Sequence, residues 1–413
     1  MSFADYYFAR YKALPPFFEN HSKGAVSIIV TIPCLDDAFV FQTLDSLESA
    51  HSIDTKIEVI VHVNSGEQTP PDTIERNRKI FNGLQQKINF YKNFRLLPIL
   101  TEGIARKKAG VGFARKTAMD EAVRRFSSID KPDGLIVGLD ADTLVAQTYF
   151  QEIVKAMENL SAQCFTFQFQ HNYDTTVYPE NVIRACRLYE IYLRYYRLKL
   201  KSFDFPFAIH TIGSCFAIRA EAYIKLGGMS PRQGGEDFYF LQKAVKMHPV
   251  YEVNVPIVFP SPRISDRVPF GTGPSVHHIV EKGKFEVYHP ELFDILSDFY
   301  RLFPTFLHED VEEQIPKLVM DYIGADIFRD KLSECKAYSA TSNAFVKRMY
   351  HHFDAFFIVK FLNSFNQSAS YSPVDILEAG KALLRNDGIR DINDLYEQIF
   401  IRDQKINQIP KGN

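Results

Sequence analysis

The chain has 413 residues, 46% apolar and 24% charged, with 48 basic against 50 acidic side chains. A formal net charge of −2 excludes a protein that coats nucleic acid with a basic surface, and the length allows two domains or one large domain with an appendage. Its 36 Phe and 21 Tyr, with no Trp, fill much of a core and leave rings for a stacking or lipid-facing surface.

Five cysteines, Cys34, Cys164, Cys186, Cys215 and Cys335, are odd in number, widely spaced and without a Cys-x-x-Cys pair. They read as reduced, mostly buried thiols of a cytoplasmic protein and argue against zinc. Residues 1–23 lack the apolar stretch of a signal peptide, and no window approaches the roughly 20 apolar residues that span a bilayer. Any membrane association is therefore expected to be peripheral, at the inner face.

Residues 1–24 form an aromatic, mixed-charge extension. Residues 25–32 are a β-branched run that predicts a strand, ended by Pro33. Asp36 and Asp37 then open a helix with Val40, Leu44 and Leu47 on one face. Residues 57–63 predict the next strand, followed by the Asn64-Ser65-Gly66 turn and a helix at 74–87. A short strand at 94–100, a helix at 112–126 rich in Ala, Lys and Arg, and a strand at 135–139 follow. This β-α alternation predicts an α/β fold with a mostly parallel, doubly wound sheet.

Beyond it the patterns give a helix at 147–160, a strand at 164–170 and a long helix at 182–200. A strand at 209–218, a short helix at 220–226, the Gly227-Gly228 turn, a helix at 236–247 and a strand at 250–258 come next. Residues 261–284, rich in Pro, Gly, Arg and His, read as a loop. From about Pro290 the composition is helical, with starts at Ser372-Pro373-Val374-Asp375 and Asp391-Ile392-Asn393-Asp394. The domain reading is an extension at 1–24, an α/β domain at 25–287 and a helical region at 288–413.

The run 135–139 ends in Asp140-Ala141-Asp142. Side chains two apart on an extended segment point the same way, so both carboxylates face the carboxyl end of the strand, where α/β sheets bind ligands. Converging acids repel unless a cation lies between them, and Mg2+ or Mn2+ takes oxygen ligands together with a substrate phosphate. The plainer alternative makes the pair a turn and N-cap for the helix at 147–160.

In chain order, Pro33 with Asp36 and Asp37, Ala114-Arg115, Asp140-Ala141-Asp142, Gly227-Gly228 and Glu236-Asp237 resemble the GT-A fold glycosyltransferases, most closely the family 2 class. The run Gly213-Ser214-Cys215-Phe216-Ala217-Ile218-Arg219 also resembles that class, and the likeness spans about residues 26–278. It implies a GT-A type, Rossmann-like, mostly parallel sheet flanked by helices, with the helical region appended. Two features depart from the pattern. The second strand ends in His62-Val63-Asn64-Ser65 where the class usually carries two acids, and the Gln-x-x-Arg-Trp motif of processive synthases is missing.

The resemblance implies a metal-dependent, non-processive transfer of one sugar from a nucleotide-sugar donor of UDP or GDP type to a hydroxyl of a glycan, lipid-linked or small-molecule acceptor, with inversion. Divalent Mn2+ or Mg2+ would be held by Asp142, with Asp140 on the metal, a metal-bound water or the ribose, and His277 and His278 as further ligand candidates. Pro33, Asp36, Asn64, Lys108, Arg115 and Asp140 are the donor-binding candidates, and Asp237 the base with Glu236 positioning it or the acceptor. Each has a plainer reading: surface histidines, a solvated basic helix face, and acids complementing the start of the following helix. His210 is a candidate for the acceptor side, and Cys215 a small buried side chain. Arg263, Asp266 and Arg267 lie in a loop that could order over the nucleotide, with Gly271 and Gly273 as hinges. The helix at 182–200 mixes Arg184, Arg187, Arg194, Arg197 and Lys199 with Tyr189, Tyr192, Tyr195 and Tyr196, which suits either a membrane interface or Tyr packing with Arg outside.

Two other readings stand beside it. A sugar-nucleotide pyrophosphorylase would place a Gly-rich basic loop after the first strand, where this chain has the acidic Pro33-Cys34-Leu35-Asp36-Asp37. A non-catalytic nucleotide-sugar-binding relative would not need Asp140, Asp142 and Asp237 together.

Overall fold

The computed structural model describes residues 2–11, 13–19, 26–50, 54–265, 271–366 and 368–405. They form two compact units, one of Met1–Cys186 with His210–His277, the other of Arg187–Ile209 with His278–Asn413.

In the first unit a short helix α1 (Asp5–Tyr11) precedes β1 (Val26–Cys34), α2 (Val40–Ser49), β2 (Lys56–Gly66), α3 (Pro71–Gln86), β3 (Arg95–Ile104), α4 (Val111–Ser128) and β4 (Leu135–Gly138). Then come β5 (Leu144–Val145), α5 (Tyr149–Met157), β6 (Cys164–Phe169) and the start of α6 (Glu180–Lys201). After the break, β7 (Phe216–Arg219), α7 (Ala220–Lys225), α8 (Glu236–Met247), β8 (Val250–Phe259) and the start of α9 (Thr272–Lys282) complete it. The eight strands make one sheet in the order β3-β2-β1-β4-β7-β6-β8-β5. Strands β1, β2, β3 and β4 are mutually parallel, as β6 is to β8, while β7 runs antiparallel to both its neighbours and β5 to β8.

Apolar content fixes the buried strands. Every residue of β4 is buried, as are eight of the nine in β1, the signature of strands covered on both faces. Helix α4 is hidden along most of its length, from Gly112 to Phe126. Its carbonyl at Ala114 accepts from the buried His62 imidazole at 3.0 Å, whose other nitrogen meets Thr101 Oγ1 at 2.8 Å. Burial lowers the His62 pKa to about 4, so this side chain is a neutral strut between α4 and β2. Helix α1 is fastened through Tyr7, whose hydroxyl donates to Asp120 of α4 at 2.7 Å; Tyr223 of α7 donates to the same oxygen at 2.9 Å.

Four elements differ from the sequence expectation, one being the helix expected from Ser372, which begins at Ile376 with Asp375 as its N-cap. Residues 261–284 contain α9 as well as a loop. The strand expected at 209–218 is only Phe216–Arg219, because the chain turns at Gly213-Ser214. The helix expected from 147 begins at Tyr149 with Thr148 as its N-cap, and β5 intervenes, so Asp140 and Asp142 do not cap it.

The second unit holds β9 (Glu286–Val287), α10 (Pro290–Arg301), α11 (Lys317–Ile323), α12 (Ala325–Ala337), α13 (Ser342–His352), α14 (Ala355–Phe365), β10 (Val374–Asp375), α15 (Ile376–Leu384) and α16 (Ile392–Lys405). Part of the Phe and Tyr content builds its core, where Tyr300 stacks on Phe203 and Tyr350 at centroid separations of 5.4 and 5.7 Å. Arg194 and Arg197 of α6 are buried and converge on Asp403 of α16, while Arg194 also donates to Glu190 at 2.8 Å. These two arginines are interior ion-pair partners, so this part of the helix does not present them to a lipid surface. No helix among the described residues is long and apolar enough to cross a membrane.

Candidate active site

The site is assembled at the carboxyl ends of β1, β2 and β4. Leu139 N donates to Thr31 O at 3.1 Å, which keeps the chain extended just beyond β4. Thr43 Oγ1 of α2 donates to Ala141 O at 2.8 Å and fixes the backbone between the two acids. Asp140 and Asp142 then reach two different arginines.

Arg115 comes from the first turns of α4, which packs against β1, so its side chain is almost wholly buried. Its guanidinium fans out to three elements. Nη2 donates to Asp140 Oδ1 at 2.8 Å, Nε to Glu236 Oε1 at 3.1 Å and Nη1 to the Gly213 carbonyl at 2.9 Å. Burial alone would lower its pKa, but the charges of Asp140, Glu236 and Asp237 outweigh burial and hold it above the ordinary arginine value. A Cβ at Gly213 would run into this guanidinium and come within 3.3 Å of Asp237 Oδ2, so only glycine fits.

Glu236 and Asp237 open α8. Gly235, at φ 67°, supplies the left-handed turn that brings them in. The Asp237 carboxyl is partly buried, with Oδ1 accepting from Phe238 N at 2.7 Å. Loss of solvation, aided by Glu236 and Asp140, raises its pKa from 3.8 to about 7 against the opposing pull of Arg115 and the Phe238 amide. A carboxyl poised there exchanges a proton near neutral pH.

The second arginine is Arg263, in the segment after β8. Its Nη1 donates to Asp37 Oδ1 at 3.1 Å, and its Nη2 meets both Asp37 Oδ2 and Asp142 Oδ2, the latter at 2.8 Å. The segment is anchored by Asn172 N on Pro260 O at 2.9 Å and by Ser261 Oγ on the Tyr178 hydroxyl at 3.1 Å. Sequence reading placed Arg263 in a loop that could order over the nucleotide, with an ordinary solvated loop as the alternative, and named no partner for it. Its partners lie 226 and 121 positions away, and nothing local announces them.

Asp36 turns elsewhere. At φ 51° it directs its carboxylate to Arg76 of α3 at 2.6 and 2.7 Å, and its amide donates to Asn77 Oδ1 at 2.8 Å. Asn77 Nδ2 in turn donates to Asn64 O at 3.0 Å, so α3 ties the ends of β1 and β2 together. Asn64 is buried at the end of β2, and Pro33 pairs with His62 in the sheet register. Lys108 is exposed in the turn before α4, which packs under Arg232 and Gln233 through Gly112 N on Arg232 O at 3.1 Å. His277 is half-buried and His278 exposed, both inside α9 rather than on a loop. His210 is buried edge-on against Phe169, and Cys215 is buried. Asp266 and Arg267 lie outside the described residues.

Among the described residues no group of three or more His, Cys, Asp or Glu side chains is placed to hold a metal ion. The donor chemistry nevertheless fits a hard divalent cation. Asp37 and Asp142 already converge on one cationic nitrogen, and Mg2+ or Mn2+ is commonly held by one or two carboxylates with substrate phosphate oxygens completing the shell.

No protein-family model and no curated protein sequence matches the chain. Structural comparison aligns 79% of it with 91% of S. aureus TarS 1–349 in complex with UDP-GlcNAc, at 12% identity and a TM-score of 0.41. It aligns 98% of the chain with 94% of the mannosyltransferase PcManGT from Pyrobaculum calidifontis in complex with GDP-Man and Mn2+, at 15% identity and a TM-score of 0.36. A third alignment pairs 75% of the chain with 58% of GalNAc-T7 with UDP, GalNAc and Mn2+, at 13% identity and a TM-score of 0.36.

Proposed function

We propose that the chain is a metal-dependent, non-processive glycosyltransferase that moves one sugar from a UDP- or GDP-type donor to a hydroxyl of a glycan, lipid-linked or small-molecule acceptor, with inversion. The observation that supports it most is the Arg115 guanidinium, which ties the acid at the end of β4 to the acids that open α8. A donor-side carboxylate and a base-side carboxylate are thereby fixed to one rigid group beside a sheet edge suited to ligands.

In this reading Asp142 and Asp37, with Asp140 beside them, hold Mn2+ or Mg2+, which would neutralise the charge that builds on the departing diphosphate. Asp140 stays oriented by Arg115 toward the donor ribose or diphosphate. Asp36 and Asn64, linked through Asn77, line the side expected to receive the base. Asp237, with a pKa near neutrality, takes the proton of the acceptor hydroxyl as its oxygen bonds to the anomeric carbon and the bond to the nucleoside diphosphate breaks. Glu236 and Arg115 position that carboxylate and act through it.

The direct experiment is release of nucleoside diphosphate from a panel of UDP-, GDP- and CDP-sugars with Mn2+, with and without simple glycan acceptors. Turnover of one donor that falls by about 10²- to 10⁴-fold in Asp237→Asn supports the reading. Equal turnover in that variant removes Asp237 as the base, and no turnover of any donor favours the non-catalytic alternative.

A further inference from the structure

We propose that Arg263 competes with the divalent cation for Asp37 and Asp142, and that, once displaced, it becomes a ligand of the donor diphosphate. The inference rests on the glycosyltransferase reading and deepens it by giving Arg263, expected only to lie in a loop near the nucleotide, a defined pair of acids to exchange with the cation.

The geometry carries the first half. A single nitrogen, Nη2, lies against Asp37 Oδ2 and Asp142 Oδ2 together, where a bridging cation would also sit. Arg263 already brings one positive charge to the two carboxylates. Adding a divalent ion without moving Arg263 would set like charges a few ångströms apart in a partly buried site, which is costly. Replacing the guanidinium by the ion instead neutralises both carboxylates.

The second half follows from what Arg263 retains. A guanidinium is charged at any ordinary pH, so Arg263 stays a cation after displacement. Among the described residues its Nε is buried without an acceptor, so the partners described leave a donor of the fork unused. The backbone anchor at Ser261 and Tyr178 keeps the side chain near the two acids. A diphosphate drawn to the metal would arrive beside a tethered guanidinium, the side chain best shaped to bind phosphate oxygens in pairs.

Calorimetric titration tests this without turnover. MnCl2 is titrated into nucleotide-free wild type, Arg263→Gln, Arg263→Lys and Asp142→Asn, and inorganic pyrophosphate is then titrated with Mn2+ saturating. The expected result is Mn2+ affinity raised about tenfold or more in Arg263→Gln, with pyrophosphate affinity lowered about tenfold or more, and Arg263→Lys between it and wild type on both. Asp142→Asn should lose Mn2+ binding. If it does, but Arg263→Gln leaves either Mn2+ or pyrophosphate affinity unchanged, the competition-and-transfer role is overturned. If Asp142→Asn binds Mn2+ like wild type, the metal assignment beneath it fails instead.

Discussion

Arg115 Nη2 donates to Asp140 Oδ1 at 2.8 Å from a buried side chain of α4. This pair makes the end of β4 part of a rigid scaffold, because the same guanidinium also holds Glu236 and the Gly213 carbonyl. Removing one member of a buried charge group leaves the others uncompensated, at about 3–5 kcal/mol. Arg115→Ala should lose stability of that order in urea unfolding, and Arg115→Lys should recover little of it, since an ammonium cannot match a planar fork reaching three partners.

Gly213→Ala tests the same hub from the opposite wall. The added methyl would strike the Arg115 guanidinium and crowd Asp237. Overpacking of this kind costs about 1–3 kcal/mol, and the expected signature is a lowered unfolding midpoint together with a lowered kcat for the donor that the wild type turns over. An unchanged kcat would mean that Arg115 can shift without disturbing the base.

The raised Asp237 pKa sets two pH dependences. In the unfolded chain this acid ionises near 3.8, and in the folded chain near 7. Between those values the folded state binds the extra proton, so this group's contribution to stability is fully present below about 4 and declines as pH rises to about 7. Asp237→Asn should therefore flatten that decline and melt higher than wild type at pH 8. Catalysis runs the other way, because the base acts when deprotonated. Wild-type kcat/KM should rise through pH 7 to a plateau, and a rate flat from pH 5 to 8 would exclude Asp237 as the base.

In the second unit, Asp403 is the counter-ion of both Arg194 and Arg197. Asp403→Asn should destabilise by about 3–5 kcal/mol, because it removes the buried carboxylate on which both guanidiniums converge. Circular dichroism during denaturation would reveal the loss, and donor binding measured well below the melting range should change little.

The parallel half of the sheet was legible because β1, β2 and β4 are β-branched runs, and a buried strand needs little else. The period of two expected for Asp140 and Asp142 did not hold, because the strand ends at Gly138, Thr143 N closes a turn on Asp140 O at 3.2 Å, and the two acids reach different arginines. What each carboxylate touches was not legible either, since Arg115 reads as one charge on a basic helix until the burial of α4 on several sides is known. The turn at Gly213-Ser214 hid within a stretch that otherwise reads as strand, and its glycine is required by the guanidinium above it rather than by local conformation. Helix α9 was masked by Gly271, Gly273 and Pro274, although Pro274 sits in its first turn, where it removes no helical hydrogen bond. Asp36 and Asp37 are neighbours with opposite fates, Arg76 for one and Arg263 for the other, because the positive φ at Asp36 swings the two side chains apart.

The central claim, that Asp142 and its neighbours form a metal-dependent nucleotide-sugar site, is tested most directly by thermal unfolding with UDP, GDP and CDP and their sugar conjugates, with and without Mn2+, in wild type and Asp142→Asn. Ligand at a hundredfold its Kd stabilises by about 2.7 kcal/mol, enough to move the midpoint clearly. The account predicts a dose-dependent rise for one nucleotide class, only with Mn2+ and only in the wild type. No rise with any nucleotide, or an equal rise in Asp142→Asn, would contradict it.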